Sequence, residues 1–178
     1  MSSRTLSLAA VGLVAFGVMA AVAAQNAAPE AERVARVYMR AVFAGDIRTA
    51  ANLTDPRTLE RLRESFLAEL VTVTDPETEK AVLSNLGLAA STAELSTVDA
   101  KTLYVARTEF EHRRNPQLFE AMKNAHVEVL GSAPNPTGGV TVRFRITPPA
   151  GSGTSTQEPG LLMRQVLGDW KVVGNAPP

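Results

Sequence analysis

The stretch Leu161-Leu162-Met163-Arg164-Gln165-Val166-Leu167-Gly168-Asp169-Trp170-Lys171-Val172-Val173-Gly174 decides how the chain closes. Leu161 to Val166 has the composition of a strand, Gly168-Asp169 reads as a turn pair, and Trp170 to Val173 reads as the returning strand. A glycine in the tight turn accepts the positive φ that primed hairpin turns require. An isolated hairpin is barely stable in water, so this one has to dock. Trp170 is the only tryptophan of the protein and shares a face with Val172. Its ring brings on the order of 150–250 Å² of surface to bury. The expected targets are Val34, Tyr38 and Val42 of an amphipathic helix near the other end of the chain.

That helix is read from Val34, Val37, Tyr38, Ala41 and Val42, whose i, i+3, i+4, i+7, i+8 spacing places them on one face. Pro29 suits its first turn, and Gly45 its end. Asp46 then caps a short piece carrying Ile47, Ala50 and Leu53. Three further helix starts share one device, a capping side chain before proline: Asp55-Pro56, Asp75-Pro76 and Asn115-Pro116. The apolar residues that follow are Leu59, Leu62, Phe66 and Leu70; then Val82, Leu83 and Leu86; then Leu118, Phe119 and Met122. Between them, Ser91–Glu94 and Ser96–Asp99 have the pattern of capping boxes and lead to a helix carrying Leu103, Ala106 and Phe110.

After Asn124 the period becomes two. His126 to Leu130 reads as a strand, and Val140, Val142, Phe144 and Ile146 alternate with Thr141, Arg143 and Arg145. Loops rich in Pro and Gly separate these runs, and the one between Thr147 and Gly160 is long. The expected fold is therefore α+β: helices over about 29–123 packed on a curved antiparallel sheet of three to four strands over about 126–174.

The first residues carry a different signal. Arg4 is followed by a 19-residue apolar run, Leu6–Ala24, that ends in the small residues Ala21-Val22-Ala23-Ala24. A positive start, an apolar stretch and an A-x-A end are the parts of a secretory signal. Residues 1–24 are thus expected to be a signal peptide and 25–178 a single domain, periplasmic or secreted and free of the membrane after cleavage. The alternative is an uncleaved segment anchoring the protein in the inner membrane, since the run is long enough to span. The chain has no cysteine, which excludes disulfides, cysteine–zinc sites and a thiol nucleophile. Charges balance at 18 of each sign with no basic stripe, so nucleic acid is not an expected partner.

A helix ending in Phe43-Ala44-Gly45-Asp46, then short helices, then a sheet finishing in Val166-Leu167-Gly168-Asp169-Trp170-Lys171-Val172-Val173-Gly174 resembles the nuclear transport factor 2-like superfamily. That resemblance implies a cone in which helices close a bent sheet over a pocket. Its members include isomerases, dehydratases and binding domains, so the resemblance names no reaction. The pocket and core candidates it places here are Tyr38, Val42, Phe66, Phe110, Phe144 and Trp170.

No catalytic pattern accompanies them. G-x-S-x-G, Walker and G-x-G-x-x-G sequences are absent. The two histidines, His112 and His126, lack a ligand-spaced partner, so neither a metal nor a cofactor is expected. Glu128, Arg143, Arg145 and Arg164 fall on the sheet's other face, as a solvated surface or one that meets a partner. The reading favours a non-catalytic envelope domain that binds a small apolar ligand in the cone or a protein partner on the sheet. A homodimer is compatible with it. An isomerase- or dehydratase-like enzyme using the same cavity is the alternative, and it would need a titratable group such as Asp46, Asp99 or His126 deep beside Tyr38 or Tyr104.

Overall fold

A computed structural model describes residues 28–89, 91–151 and 155–176; the expected signal, residues 1–24, lies outside them. Among the described residues the order is seven helices and then four strands: α1 (28–44), α2 (Ile47–Leu53), α3 (Pro56–Val71), α4 (Pro76–Leu86), α5 (Thr92–Leu95), α6 (Ala100–Arg114), α7 (Pro116–Lys123), β1 (His126–Pro134), β2 (Val140–Thr147), β3 (Gly160–Val166) and β4 (Asp169–Ala176). The strands form an open antiparallel sheet in the order β1-β2-β3-β4. The fold is α+β.

Caps set most helix starts. The side chains of Asp46, Asp55, Asp75, Ser91 and Asp99 accept hydrogen bonds from the first-turn N–H groups of α2 to α6. Two expectations fail here. Asn115 makes no side-chain cap for α7, because it stands directly between two helices and its Nδ2 donates back to the Glu111 carbonyl at 3.4 Å. Ser96 ends α5 instead of opening α6, and Asp99 does the capping, accepting from Thr102 N at 3.0 Å.

Alternation decides the sheet faces. Val140, Val142 and Phe144 of β2, Leu161 and Met163 of β3, and Trp170 and Val172 of β4 are buried on one face. They form one cluster with Ala31, Val34, Ala35 and Met39 of α1, and Tyr38 packs against it. The buried side of α1 is therefore rotated from the expected stripe. Val37 is exposed, and Val42 belongs to neither core cluster. Ala31 and Ala35, one turn apart, are fully buried: their small side chains let the helix backbone come close to the sheet. Valines look like the apolar face in the sequence because alanine is ambiguous there.

The terminal hairpin forms with its tip one residue earlier than expected. Val166 pairs with Asp169, so the turn residues are Leu167 and Gly168, both with positive φ (53° and 92°). This is the backbone of a type I′ turn, which takes glycine in its second central place. The shift keeps every side chain on its expected face, so it moves the tip and leaves the core unchanged. Further along, Leu162 faces Gly174 but Met163 faces Val172, so Val173 is an inserted bulge residue. Residue Leu130 is inserted in the same way between Val129 and Gly131 of β1.

The bulge on β4 serves its outer edge. Thr58 Oγ1 donates to the Val173 carbonyl at 2.8 Å, Asp55 N donates to the Val172 carbonyl at 2.8 Å, and Lys171 Nζ donates to the Asn52 carbonyl at 2.9 Å. The α2–α3 junction thus covers the strand that ends the sheet. A second apolar cluster lies among the helices: Phe66 and Leu70 of α3, Leu83 and Leu86 of α4, Leu95 of α5 and Leu103 of α6.

Two stability outcomes follow. Trp170→Ala is expected to cost about 3–5 kcal/mol in a urea melt, the range for large buried aromatics; a loss below about 1 kcal/mol means the ring does not close the core. Gly139 and Gly131 both have positive φ, but a Cβ on Gly139 would lie 2.2 Å from the Met163 carbonyl oxygen, whereas one on Gly131 meets nothing within 4 Å. Gly139→Ala should therefore destabilise clearly more than Gly131→Ala, whose cost is set by backbone strain alone at about 1 kcal/mol.

Candidate ligand-binding cleft

The middle of the sheet's inner face offers no space. Phe144, Val142 and Met163 have no solvent-accessible surface, which leaves no room for a water-sized probe against them.

A cleft of about 240 Å³ lies instead between α3 and α6. Leu62 and Phe66 come from α3; Leu103 and Tyr104, then Arg107, Thr108 and Glu111, come from successive turns of α6. Leu62 is 43% exposed although it belongs to the apolar stripe of α3, because it faces the opening and not the cluster beneath. Phe66 and Leu103 make the floor and are buried. The Arg107 guanidinium stands 4.5 Å over the Phe66 ring and reaches Glu69 at 3.2 Å. Arg63 pairs with Glu60 at 3.0 Å and donates to the carbonyls of Ser96 and Val98. The rim arginines are thus held by other duties, and the apolar floor is what the cleft offers to a guest.

Tyr104 connects this cleft to the sheet side. Tyr38 of α1 faces Tyr104 and Thr54, where burial pushes its phenol well above the ordinary tyrosine range, Tyr104 adds to the shift and Thr54 opposes it. Tyr38 stays protonated and can only act as a hydroxyl. Thr54 Oγ1 in turn donates to the Ala50 carbonyl at 2.9 Å. A second, more polar recess of about 300 Å³ includes Asn52, Glu60, Asp99, Lys101 and Lys171. Asp99 is occupied there as the α6 cap, Glu60 with Arg63, and Lys171 with the Asn52 carbonyl.

The residues singled out in the sequence do not meet at one place. Tyr38, Phe144 and Trp170 belong to the sheet cluster, Phe66 and Phe110 to the helical cluster, and Val42 is half-buried outside both. On the outer sheet face Arg145 pairs with Glu128 at 3.6 Å and with Glu158 at 2.8 Å. Arg143 there is exposed, and Arg164 lies opposite Lys171 across the hairpin. Asp46, Asp99 and His126 are all exposed, away from the two tyrosines' buried contact. Among the described residues no group of three His, Asp or Glu could hold a metal ion. Tyr104 is among the residues the sequence singles out; Arg107, Thr108 and Glu111 are not, because they look like the polar side of a helix, and their i+3, i+4, i+7 spacing from Tyr104 is the available signal.

No family model matches the chain, and neither a curated protein nor a solved structure matches it.

His112 sits where three elements meet. Its ring stacks on Phe119 of α7 with centroids 3.4 Å apart, and it lies beside Gly45 at the end of α1. Burial lowers the imidazole below the usual histidine value, Glu109 opposes this, and Lys123 adds to it. The folded chain therefore binds this proton less tightly than the unfolded chain. The stability it contributes is complete above the unfolded value, about 6.5, and is lost as pH falls through that value towards the folded one. Asp46, Asp75 and Asp99 are lowered by hydrogen bonds from the side chains and backbones of Thr49, Thr78 and Thr102, so their contribution is lost only in more acid solution. Melting temperature should fall between about pH 7 and pH 5 for the natural chain and stay flatter in His112→Gln. Parallel profiles would show that the imidazole is not desolvated.

Proposed function

We propose that the protein is an exported, non-catalytic envelope domain that receives a small apolar group in the α3–α6 cleft. The observation that carries this is Leu62, a large apolar side chain left 43% exposed over a floor of Phe66 and Leu103. At about 240 Å³ the space falls below the roughly 300 Å³ where complete small-molecule pockets begin. It suits the end of a longer ligand or one side chain of a partner. Export is supported by the Leu6–Ala24 run. No helix among the described residues is long and apolar enough to cross a membrane.

Helices ahead of a four-stranded antiparallel meander, with α1 against one face and bulges in β1 and β4, support the nuclear transport factor 2-like reading. A binding role is favoured over an enzyme by the placement of the acids. Asp46 and Asp99 cap helices and Tyr38 keeps its proton, so none of them is poised as a general base.

The test uses 1-anilinonaphthalene-8-sulfonate as the probe. Leu62→Glu should weaken its binding at least tenfold with an unchanged melt, while Val71→Glu, at a site 76% exposed outside the cleft, should leave it alone. Equal loss in both variants, or in neither, would remove the cleft from consideration. Native mass spectrometry of protein from its own host then shows what the cleft holds.

A further inference from the structure

The charges of the α3–α6 cleft cancel in pairs, with one left over. Arg63 pairs with Glu60 at 3.0 Å, and Arg107 pairs with Glu69 at 3.2 Å. The remaining charge is Glu111, half-exposed in the wall of the cleft. Among the described residues its carboxylate makes no ion pair and no hydrogen bond; only its backbone carbonyl is engaged, by Asn115. Two arginines stand one turn away on α6, Arg107 at i−4 and Arg114 at i+3, the spacings at which helix ion pairs form. Both are committed elsewhere. The Arg107 guanidinium lies 4.5 Å over the Phe66 ring of α3, and that of Arg114 lies 5.4 Å over the Phe110 ring. Arg113, two residues on, donates to the Asn85 carbonyl at 3.0 Å. The walls of the cleft thus carry one negative charge that the protein does not answer.

The place of that charge gives the guest its form. Leu103, in the floor with Phe66, and Glu111 lie two turns apart on α6, about 12 Å along the helix axis. A chain resting on the floor therefore brings its far end to the carboxylate. An ammonium at that end is attracted, a hydroxyl is indifferent to the charge, and a carboxylate is repelled. Burial of the chain supplies the affinity, and Glu111 supplies the choice of head group. We propose that the α3–α6 cleft selects small aliphatic ammonium compounds, with the chain on Leu62, Phe66 and Leu103 and the cationic head at Glu111. The inference rests on the cleft being a binding site. A half-exposed ion pair is modest and weakened by salt, so the preference is severalfold and not absolute.

The test compares octylammonium, octanol and octanoate, with Kd read by ligand-observed NMR on the full chain at low ionic strength. The natural chain should bind octylammonium about threefold more tightly than octanol, and octanoate more weakly than either. Raising sodium chloride to about 0.5 M should bring octylammonium and octanol together. Glu111→Gln should do the same at low salt, with octanol binding and the melt unchanged. Glu109→Gln removes the same charge from an exposed site of α6 outside the cleft and should keep the preference. Equal binding of the three probes, a preference for octanoate, or a preference that survives Glu111→Gln overturns the proposal. Loss of the preference in Glu109→Gln as well would assign it to net charge and overturn it too. Octanol that fails to bind at all removes the cleft itself, and this inference with it; octanol that binds while the head group makes no difference leaves the cleft and removes only the role of Glu111. Nα-acetyl-lysine amide, whose chain is too short to cover the floor, should bind at least about tenfold more weakly than octylammonium. Equal binding of the two would make the guest a lysine of a partner protein and overturn the small-molecule assignment.

Discussion

The hydrogen bond from Asp55 N–H to the Val172 carbonyl, 2.8 Å long, holds the two halves of the molecule in register. β4 is the last strand of the sheet and one of its edges, with carbonyls and N–H groups that need partners. The α2–α3 junction supplies them, through Asp55, Thr58 and a parallel bridge between Thr54 and Val172. Thr54 and Asp55 are buried polar residues, and the side chain of each has a hydrogen-bond partner. Polar bonds in such surroundings are directional and costly to break, which fixes where α3 begins relative to the sheet. The opposite edge, β1, is blunted by other means: a bulge at Leu130, the charge of Glu128 and a closing Pro134.

From this seam the two apolar clusters follow. On one side α1 lies against the sheet through Ala31 and Ala35, and Trp170 fills the end of that layer. On the other, α3 leans on α6 through Phe66 and Leu103, with α4 and α5 behind. Tyr38 and Tyr104 touch where the clusters adjoin. A cleft opens along α3 and α6, where Leu62 stays exposed and α6 contributes Tyr104, Arg107 and Thr108 beside the buried Leu103. The arginines at its rim are tied to Glu60 and Glu69, which leaves apolar area as the main attraction for a ligand.

The cleft and the hairpin tip share a physical character. Each exposes an apolar side chain that a purely structural solution would hide, Leu62 in a concave setting and Leu167 on a convex one.

Much of this was legible in the chain itself. The Asx-Pro pairs, Gly45, the alternation of β2 and the Leu161–Val173 hairpin set the helices, the strands and the sheet faces, because caps, turn glycines and period-two patterns act between residues close in sequence. Even there the nearest competitor mattered: Asn115 served the helix it ended and not the one it opened. Tertiary structure alone decided which side of α1 is buried, since alanines 31 and 35 become the contact face only when a sheet lies close enough to need small residues. It alone separated Phe66 and Phe110 from Phe144 and Trp170, residues equally apolar on paper, and brought Tyr104 and Arg107 into one cleft with Leu62. Local chemistry determines which elements form; which faces meet depends on contacts between residues tens of positions apart, and no short-range pattern encodes those.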